Sequence, residues 1–272
     1  MRRFLALSTV SVAVLAFAPL AKLSVSAQTI AAAPTPIQCS LTWTGHEDEI
    51  EKFLVDGKVL KMETVPIGIT RPQRATLEPG GPAASFAFKP IAPGYSKGFM
   101  ESYKAEIAAY KLDRLLDLHM VPPIVERTIA GKNGAAIMWV ENVKGWSIAK
   151  PPQGPEPKWS LQLTRMKMFD QLIANIDRNQ GNLIYDTDWH LILIDHSRAF
   201  IDRKDLKGTA PLGRVDRQLW TRMAALTLDD LDKGLDKWVG DKEKRALLLR
   251  RDKMAEQIEK MIAKRGESVF YD

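Results

Sequence analysis

Cysteine is almost absent: Cys39 is the one thiol in 272 residues. That excludes a disulfide framework and a cysteine-based zinc cluster. Histidine is scarce too. The four, at positions 46, 119, 190 and 196, never fall at a metal-ligating spacing such as HExxH. Beyond residues 4–20 there is no second long apolar run, so no later stretch is long and apolar enough to span a membrane. Charge of one sign is also in short supply. The formal net charge is +6, and Arg2, Arg3 and Lys22 lie in the N-terminal segment, leaving +3 for the rest. No Lys/Arg run is interleaved with aromatics, so nucleic acid is not an expected partner. What is present is ordinary globular composition: 45% hydrophobic, 26% charged, 17 glycines and 16 prolines. Collagen-like, low-complexity and wholly disordered chains are thereby excluded. The length suits one large domain or two small lobes.

Arg2 and Arg3 precede the apolar run, and Val25-Ser26-Ala27 offers small residues at the −3 and −1 positions of a cleavage site. This is the layout of a secretory signal peptide over residues 1–27. The rival reading is an uncleaved anchor, but the run falls short of ~20 residues and is broken by Pro19 and Lys22. The expectation is a mature chain beginning near Gln28, periplasmic or secreted, with no membrane span. Residues 28–45 begin rich in Ala, Pro and Thr and read as a flexible tether.

Residues 46–55 mix charged and apolar positions and suggest a short helix. Residues 58–89 read as β, with apolar runs punctuated by Gly68, Pro72, Pro79, Gly80, Gly81 and Pro82. Residues 102–118 read as a helix, with Ser102 as N-cap and Tyr103, Ile107, Tyr110, Leu115 and Leu118 at helical spacing. Residues 124–129 and 135–140 flank Gly131-Lys132-Asn133-Gly134 as a hairpin. Residues 150–158 hold four prolines and form a loop, and residues 160–176 a second helix. Residues 183–185 and 191–194 are short strands. From Val215 onward the chain reads as helical, with Thr227 and Asp230 as a capping box and a last helix over residues 241–264 stopping at Gly266. The Arg250-Arg251-Asp252 run is expected on a solvated helix face. A β-rich half with one helix thus precedes an α-rich half, an order that suggests two lobes with a ligand cleft between them.

The chemistry concentrates in Asn175-Ile176-Asp177-Arg178-Asn179-Gln180-Gly181-Asn182, directly after the second helix. From Asp177 to Asn182 the spacing is D-x-x-x-x-N. Asp195 ends the strand pair that follows, and an antiparallel hairpin returns its two ends to one edge. Phosphoryl transfer needs such a set: one carboxylate for the acceptor hydroxyl, an amide and a second carboxylate for Mg²⁺. Arg178 is a candidate either to anchor this loop or to neutralise phosphate. Asp170 reads as structural, bonding to the loop backbone, and Trp139 and Met138 read as core.

Asn175-Ile176-Asp177-Arg178…Asn182 and Ile194-Asp195-His196-Ser197-Arg198-Ala199-Phe200 together resemble the catalytic and metal-binding motifs of the atypical kinases. These include HipA-type bacterial kinases, phosphatidylinositol 4-kinases and the secretory-pathway casein kinases of the Golgi. The resemblance spans residues 59–200 and departs from ordinary protein kinases: there is no His-Arg-Asp, and Asp195-His196-Ser197 stands for Asp-Phe-Gly.

The resemblance implies an α+β, bilobal protein-kinase-like fold: a β-rich N-lobe with one helix over residues 46–140 and an α-rich C-lobe over residues 141–272. It implies Lys89, at a strand end, for the phosphates and Glu106, on the next helix, as its partner, with Lys104 and Lys97 as weaker alternatives. Gly68 and Thr70 are candidates to cover the phosphates, with Gly80-Gly81 as the other choice. Glu141 and Val143 lie where an inter-lobe hinge would meet adenine. Asn182 and Asp195 are the implied metal ligands and Asp177 the base. The implied function is an exported phosphotransferase using ATP and Mg²⁺ or Mn²⁺, with an acceptor hydroxyl on protein, lipid or sugar. Two alternatives stay open: a nucleotide-binding or inert pseudokinase acting as a binding module, and a small-molecule or sugar kinase.

Overall fold

The computed structural model describes residues 43–65, 72–96, 98–145 and 159–271. The signal peptide, nearly all of the tether, Gly68 and Thr70, Lys97 and the proline loop lie outside the described residues.

The first element among the described residues is α1 (Glu47–Asp56), whose Ile50 and Leu54, one turn apart, are buried. Five strands then build one antiparallel sheet: β1 (Val59–Thr64), β2 (Gln73–Leu77), β3 (Ser85–Lys89) and, after a small hairpin of β4 (Gly94–Ser96) with β5 (Phe99–Glu101) and helix α2 (Tyr103–Leu115), β6 (Ile124–Ile129) and β7 (Lys132–Met138). The order is β1-β2-β3-β7-β6. Strand alternation gives the sheet two apolar faces. Phe86, Phe88, Ala136 and Met138 pack with Ile50 and Leu54 of α1. Ala87 and Ile137 face the larger core around Ile107 and Leu112. The β-rich half therefore holds both helices that the local patterns of residues 46–55 and 102–118 suggest, although the bilobal reading counted one; α1 covers the second face of the sheet.

Helix α2 is the central element. Ala105 to Tyr110 are all buried, as expected of a helix covered on every side. It packs against β6 and β7 and against α5. Its N-cap is as expected: the Ser102 side chain accepts from the Lys104 backbone N–H. It ends three residues early. The buried Asp113 carboxylate accepts from the backbone N–H groups of His119, Met120 and Val121, which pulls the chain into a turn with Asp117 and His119 at positive φ.

The second half begins with β8 (Lys144–Gly145) and α3 (Trp159–Ile173). Strands β9 (Leu183–Tyr185) and β10 (Leu191–Leu193) pair antiparallel, Leu183 opposite Leu193, and complete a small β10-β9-β8 sheet. The expected all-helical remainder is interrupted at once: β11 (Val215–Asp216) pairs in parallel with β12 (Phe270–Tyr271), near the other end of the region. Between them lie α4 (Arg217–Ala225), α5 (Leu228–Leu235) and α6 (Asp241–Arg265). Thr227 and Asp230 form the expected capping box.

The Arg250 assignment needs correction. Its side chain is fully buried, and it donates to the backbone carbonyls of Leu172, Ile201 and Arg203. Leu172 lies in the last turn of α3, where carbonyls lack intrahelical partners. Arg250 thus caps α3 from α6, and of that run only Asp252 lies on the expected solvated face, Arg251 being half-buried and donating to the Leu226 carbonyl.

Candidate active site

β3 ends at Lys89, whose Nζ lies 2.8 Å from Glu106 Oε1 and 2.9 Å from Asp195 Oδ1. The strand period places Lys89 on the α2 side, and Glu106 reaches it from the first turns of that helix. Glu106 has no solvent exposure, so its charge depends on these partners. Its second oxygen accepts from the His196 backbone N–H at 2.8 Å. Burial works against the Lys89 ammonium, but the charges of Glu106 and Asp195 outweigh it and hold its pKa above the ordinary lysine range. Burial likewise pushes Asp195 up, while Lys89 and then Arg178 prevail and keep it below the usual carboxylate range. Both groups are ionised at neutral pH.

Asp195 follows β10 at φ 64, a left-handed conformation that Asp tolerates better than most residues. Its Oδ1 takes the Lys89 bond and a 3.4 Å contact from the Ser197 hydroxyl. Among the described residues Oδ2 has no hydrogen-bond partner.

The loop after α3 is organised by Arg178. Its guanidinium grips both oxygens of Asp170, at 2.9 and 3.0 Å. A single nitrogen, Nη1, also donates to the carbonyls of Asn182 and Ile194, at 3.1 and 2.8 Å. That nitrogen draws together the two edges of the hairpin expected to meet. Arg178 is the anchor of the loop. Asp170 is structural: its carbonyl accepts from the Asn175 backbone N–H at 2.9 Å, and its carboxylate binds the Arg178 and Asn175 side chains. Asn182 Nδ2 donates to the Asp177 carbonyl at 3.1 Å, so the amide oxygen of Asn182 remains unbonded among the described residues. The Asn182 and Asp195 oxygens are the hard donors that Mg²⁺ or Mn²⁺ takes. By the chemistry of their donors, the residues present fit a divalent cation.

His196 is wholly buried. Burial, then the nearby charges of Arg178 and Lys89, keep its imidazole well below the ordinary range and neutral. Nε2 accepts from Arg178 at 2.9 Å, which places the ring proton on Nδ1, 3.9 Å from Glu106 Oε2. It packs edge-on against Phe169. The histidine thus joins the Arg178 loop anchor to the Lys89–Glu106 pair.

Two residues missed in the sequence complete the site. Arg198 Nη1 lies 3.0 Å from Asp177 Oδ2, while its Nε and Nη2 hold Glu101 Oε1 at 2.8 and 2.6 Å. The Phe99 ring stacks on it at 4.3 Å. The signal was slight: an arginine three residues after Asp195, and a glutamate just before the Ser102 cap. Glu141 lies past the end of β7 and pairs with Arg74, and Val143 is half-buried nearby in the chain. Lys104 makes neither of the Lys89 contacts, and Gly68, Thr70 and Lys97 fall outside the described residues. Met138 is core as expected, whereas Trp139 is half-buried and stacks under Arg74.

Two other acidic groups are accounted for. Asp232, Asp236 and Asp241 surround the Lys244 ammonium. Asp186 accepts from the backbone N–H groups of Asp188 and His190 and from the His190 ring.

No protein-family model matches the chain, and no curated protein matches it significantly. Solved structures do. A Golgi casein kinase with Mn and ADP bound superposes with a TM-score of 0.63 at 16% identity, covering 83% of this chain and 78% of that one. A hydra Fam20 structure with sugar gives 0.63 at 19% identity, covering 86% and 99%. The chain therefore has the α+β, kinase-like fold of the atypical kinases, with a Golgi casein kinase and a hydra Fam20 among its structural neighbours.

Proposed function

We propose that this chain is an ATP-dependent phosphotransferase of the atypical kinase type, using Mg²⁺ or Mn²⁺ and acting outside the cytoplasm on an acceptor hydroxyl. The observation that carries the reading is Lys89, shared between Glu106 on α2 and Asp195 after β10. A buried lysine could be neutralised by one carboxylate. Two carboxylates from distant parts of the chain converge on it where a nucleotide's phosphates would need a fixed cation. The neighbour with Mn and ADP bound has the same fold, which supports the nucleotide and the metal.

In this reading Lys89, kept charged by its partners, orients the α- and β-phosphates, and Glu106 keeps Lys89 in place. Asn182 and Asp195 would hold the metal, which neutralises charge on the transferred phosphoryl group. Asp177 is the most open of the set, with its side chain 40% exposed. It would accept the proton of the acceptor hydroxyl as that oxygen attacks. Glu141 and Val143 would border the base, and Gly68 and Thr70 would cover the phosphates.

Melting of the chain from Gln28 onward, with ATP plus Mg²⁺ or Mn²⁺, tests the nucleotide site. A ligand at 100 times its Kd stabilises by about 2.7 kcal/mol, and for a domain of this size that raises Tm by roughly 5–10 °C. No shift with either metal would refute the reading. Export rests on Arg2-Arg3, the apolar run and Val25-Ser26-Ala27. N-terminal sequencing should return Gln28 or a residue close to it, and recovery of an intact residue 4–20 segment in membranes would refute cleavage.

A further inference from the structure

The hairpin of β4 and β5, between Lys89 and α2, has little reason to form by itself. Strand pairs this short are marginal in water, and its Tyr95, Phe99 and Met100 are exposed. The one buried residue of the two strands is Glu101, and a buried charge needs a partner. The neighbouring backbone brings one. The Ser102 N–H donates to the Ser197 carbonyl at 2.9 Å, which lays Glu101 beside Arg198. Arg198 Nε and Nη2 then hold Glu101 Oε1 at 2.8 and 2.6 Å. The Phe99 ring lies 4.3 Å from the guanidinium carbon.

A ring on one face and a carboxylate on one edge fix the plane of the cation. Its remaining nitrogen, Nη1, lies 3.0 Å from Asp177 Oδ2. Among the described residues Asp177 Oδ1 has no hydrogen-bond partner. The arrangement repeats that of Lys89. Each cation is shared between a glutamate in or just before α2 and an aspartate of the helical half. Lys89 lies between Glu106 and Asp195, and Arg198 between Glu101 and Asp177.

We propose that Arg198 and Glu101 are positioning residues of the transfer step. Glu101 locks the guanidinium, and the guanidinium holds Asp177 Oδ2, leaving Oδ1 for the proton of the acceptor hydroxyl. The inference rests on Asp177 as the base and deepens that reading. Arginine suits this task better than lysine, because its planar fork meets two carboxylates at fixed angles. Glu101 takes two of the three bonds and offsets the charge, so one hydrogen bond orients Asp177 without closing it into a bidentate pair.

ATP affinity by calorimetry and the rate of ATP hydrolysis, both with Mn²⁺ on the chain from Gln28 onward, test this, with water standing in for the acceptor. Arg198→Met should keep ATP affinity near that of wild type and lower kcat about 10²-fold, the scale of a misplaced catalytic group. Glu101→Gln, which does not touch Asp177, should lower kcat in the same way but less. In an Asp177→Ala background Arg198→Met should cost nothing further, because a residue that acts through another is not additive with it. Arg198→Lys keeps the charge and loses the fork. It should retain ATP affinity and fall short of wild-type kcat, and it decides the matter should Arg198→Met fail to fold. An unchanged kcat, lost ATP affinity in a folded variant, or a further loss in the Asp177→Ala background overturns the assignment while the base reading stands. A wild type that binds no ATP, or an Asp177→Ala variant as fast as wild type, overturns the reading of the site and this inference with it.

Discussion

At the residue scale the site is an arrangement of charges that cannot be neutralised singly. Lys89 and Glu106 are both buried and meet at 2.8 Å; removing Lys89 leaves Glu106 without its counter-charge, whereas removing Glu106 leaves Lys89 with Asp195 alone. Lys89→Met is expected to lower ATP turnover by about 10²–10³-fold, the scale of losing one pre-set electrostatic contact to the reacting group. Glu106→Gln should cost less, because it acts through the lysine. Rates of the two single variants and the double variant decide whether they act as a unit. A double variant hardly worse than Lys89→Met is expected, and additive losses would show that they do not.

Asp113 offers a separate test on stability. Burial pushes its carboxyl up to about 7, against three backbone N–H donors that oppose the shift. Its unfolded value is about 3.9. Because the folded state holds the proton more tightly, the contribution is full below pH ~4 and is lost as pH rises through 7. Wild-type Tm should therefore fall between pH 5 and pH 8 relative to Asp113→Asn. Parallel Tm curves for the two proteins would contradict the assignment.

Elements carry the site by fixing where these residues stop and start. β3 delivers Lys89 at its last position, α2 delivers Glu106 in its first turns, and α3 hands over to the Arg178 loop. Arg250 binds that handover from α6, capping the last turn of α3 and holding residues 201 and 203. Arg250→Met keeps the bulk and removes the donors. It should destabilise by about 3 kcal/mol, since charged hydrogen bonds are worth ~1.5–3 each, and lower Tm by roughly 6–12 °C. A melting curve within 2 °C of wild type would mean that the cap is dispensable.

Local pattern made much of this scaffold readable. Alternation in Ser85–Lys89, the Ser102 cap, the Thr227 box and the pairing of β6 with β7 are each written within a few residues. The turn of that hairpin, however, is residues 130–131 rather than 131–134, of which Lys132, Asn133 and Gly134 pair within β7. The D-x-x-x-x-N spacing and the hairpin after it were readable for the same reason. What escaped depends on distant partners. Arg250 sits in a charged run and is buried because α3 ends beside it. β11 is two residues long and exists because Phe270 arrives alongside. Arg198 meets Asp177 through a turn that no local signal encodes. The early end of α2 depends on one buried carboxylate rather than on a proline or glycine.

At the scale of the whole molecule, a five-stranded sheet and a helical region present their charged ends to one another around Lys89. The fold is shared with a Golgi casein kinase and a hydra Fam20 at 16% and 19% identity, a distance at which likeness of fold does not transfer an activity. The claim of activity rests on the division of labour among the acidic residues. Asp195 has an oxygen left for a metal and should act both in binding and in turnover. Asp177, away from Lys89 and tied to Arg198, should act in transfer.

ATP affinity and ATP hydrolysis, measured with Mn²⁺ for wild type, Asp195→Ala and Asp177→Ala, test that division directly. Asp195→Ala should lose metal-dependent binding and turnover together. Asp177→Ala should bind ATP within a small factor of wild type and hydrolyse it about 10²–10⁴-fold more slowly, the usual contribution of a positioned general base. A wild type that binds ATP, with Asp177→Ala hydrolysing it just as fast, would contradict the account.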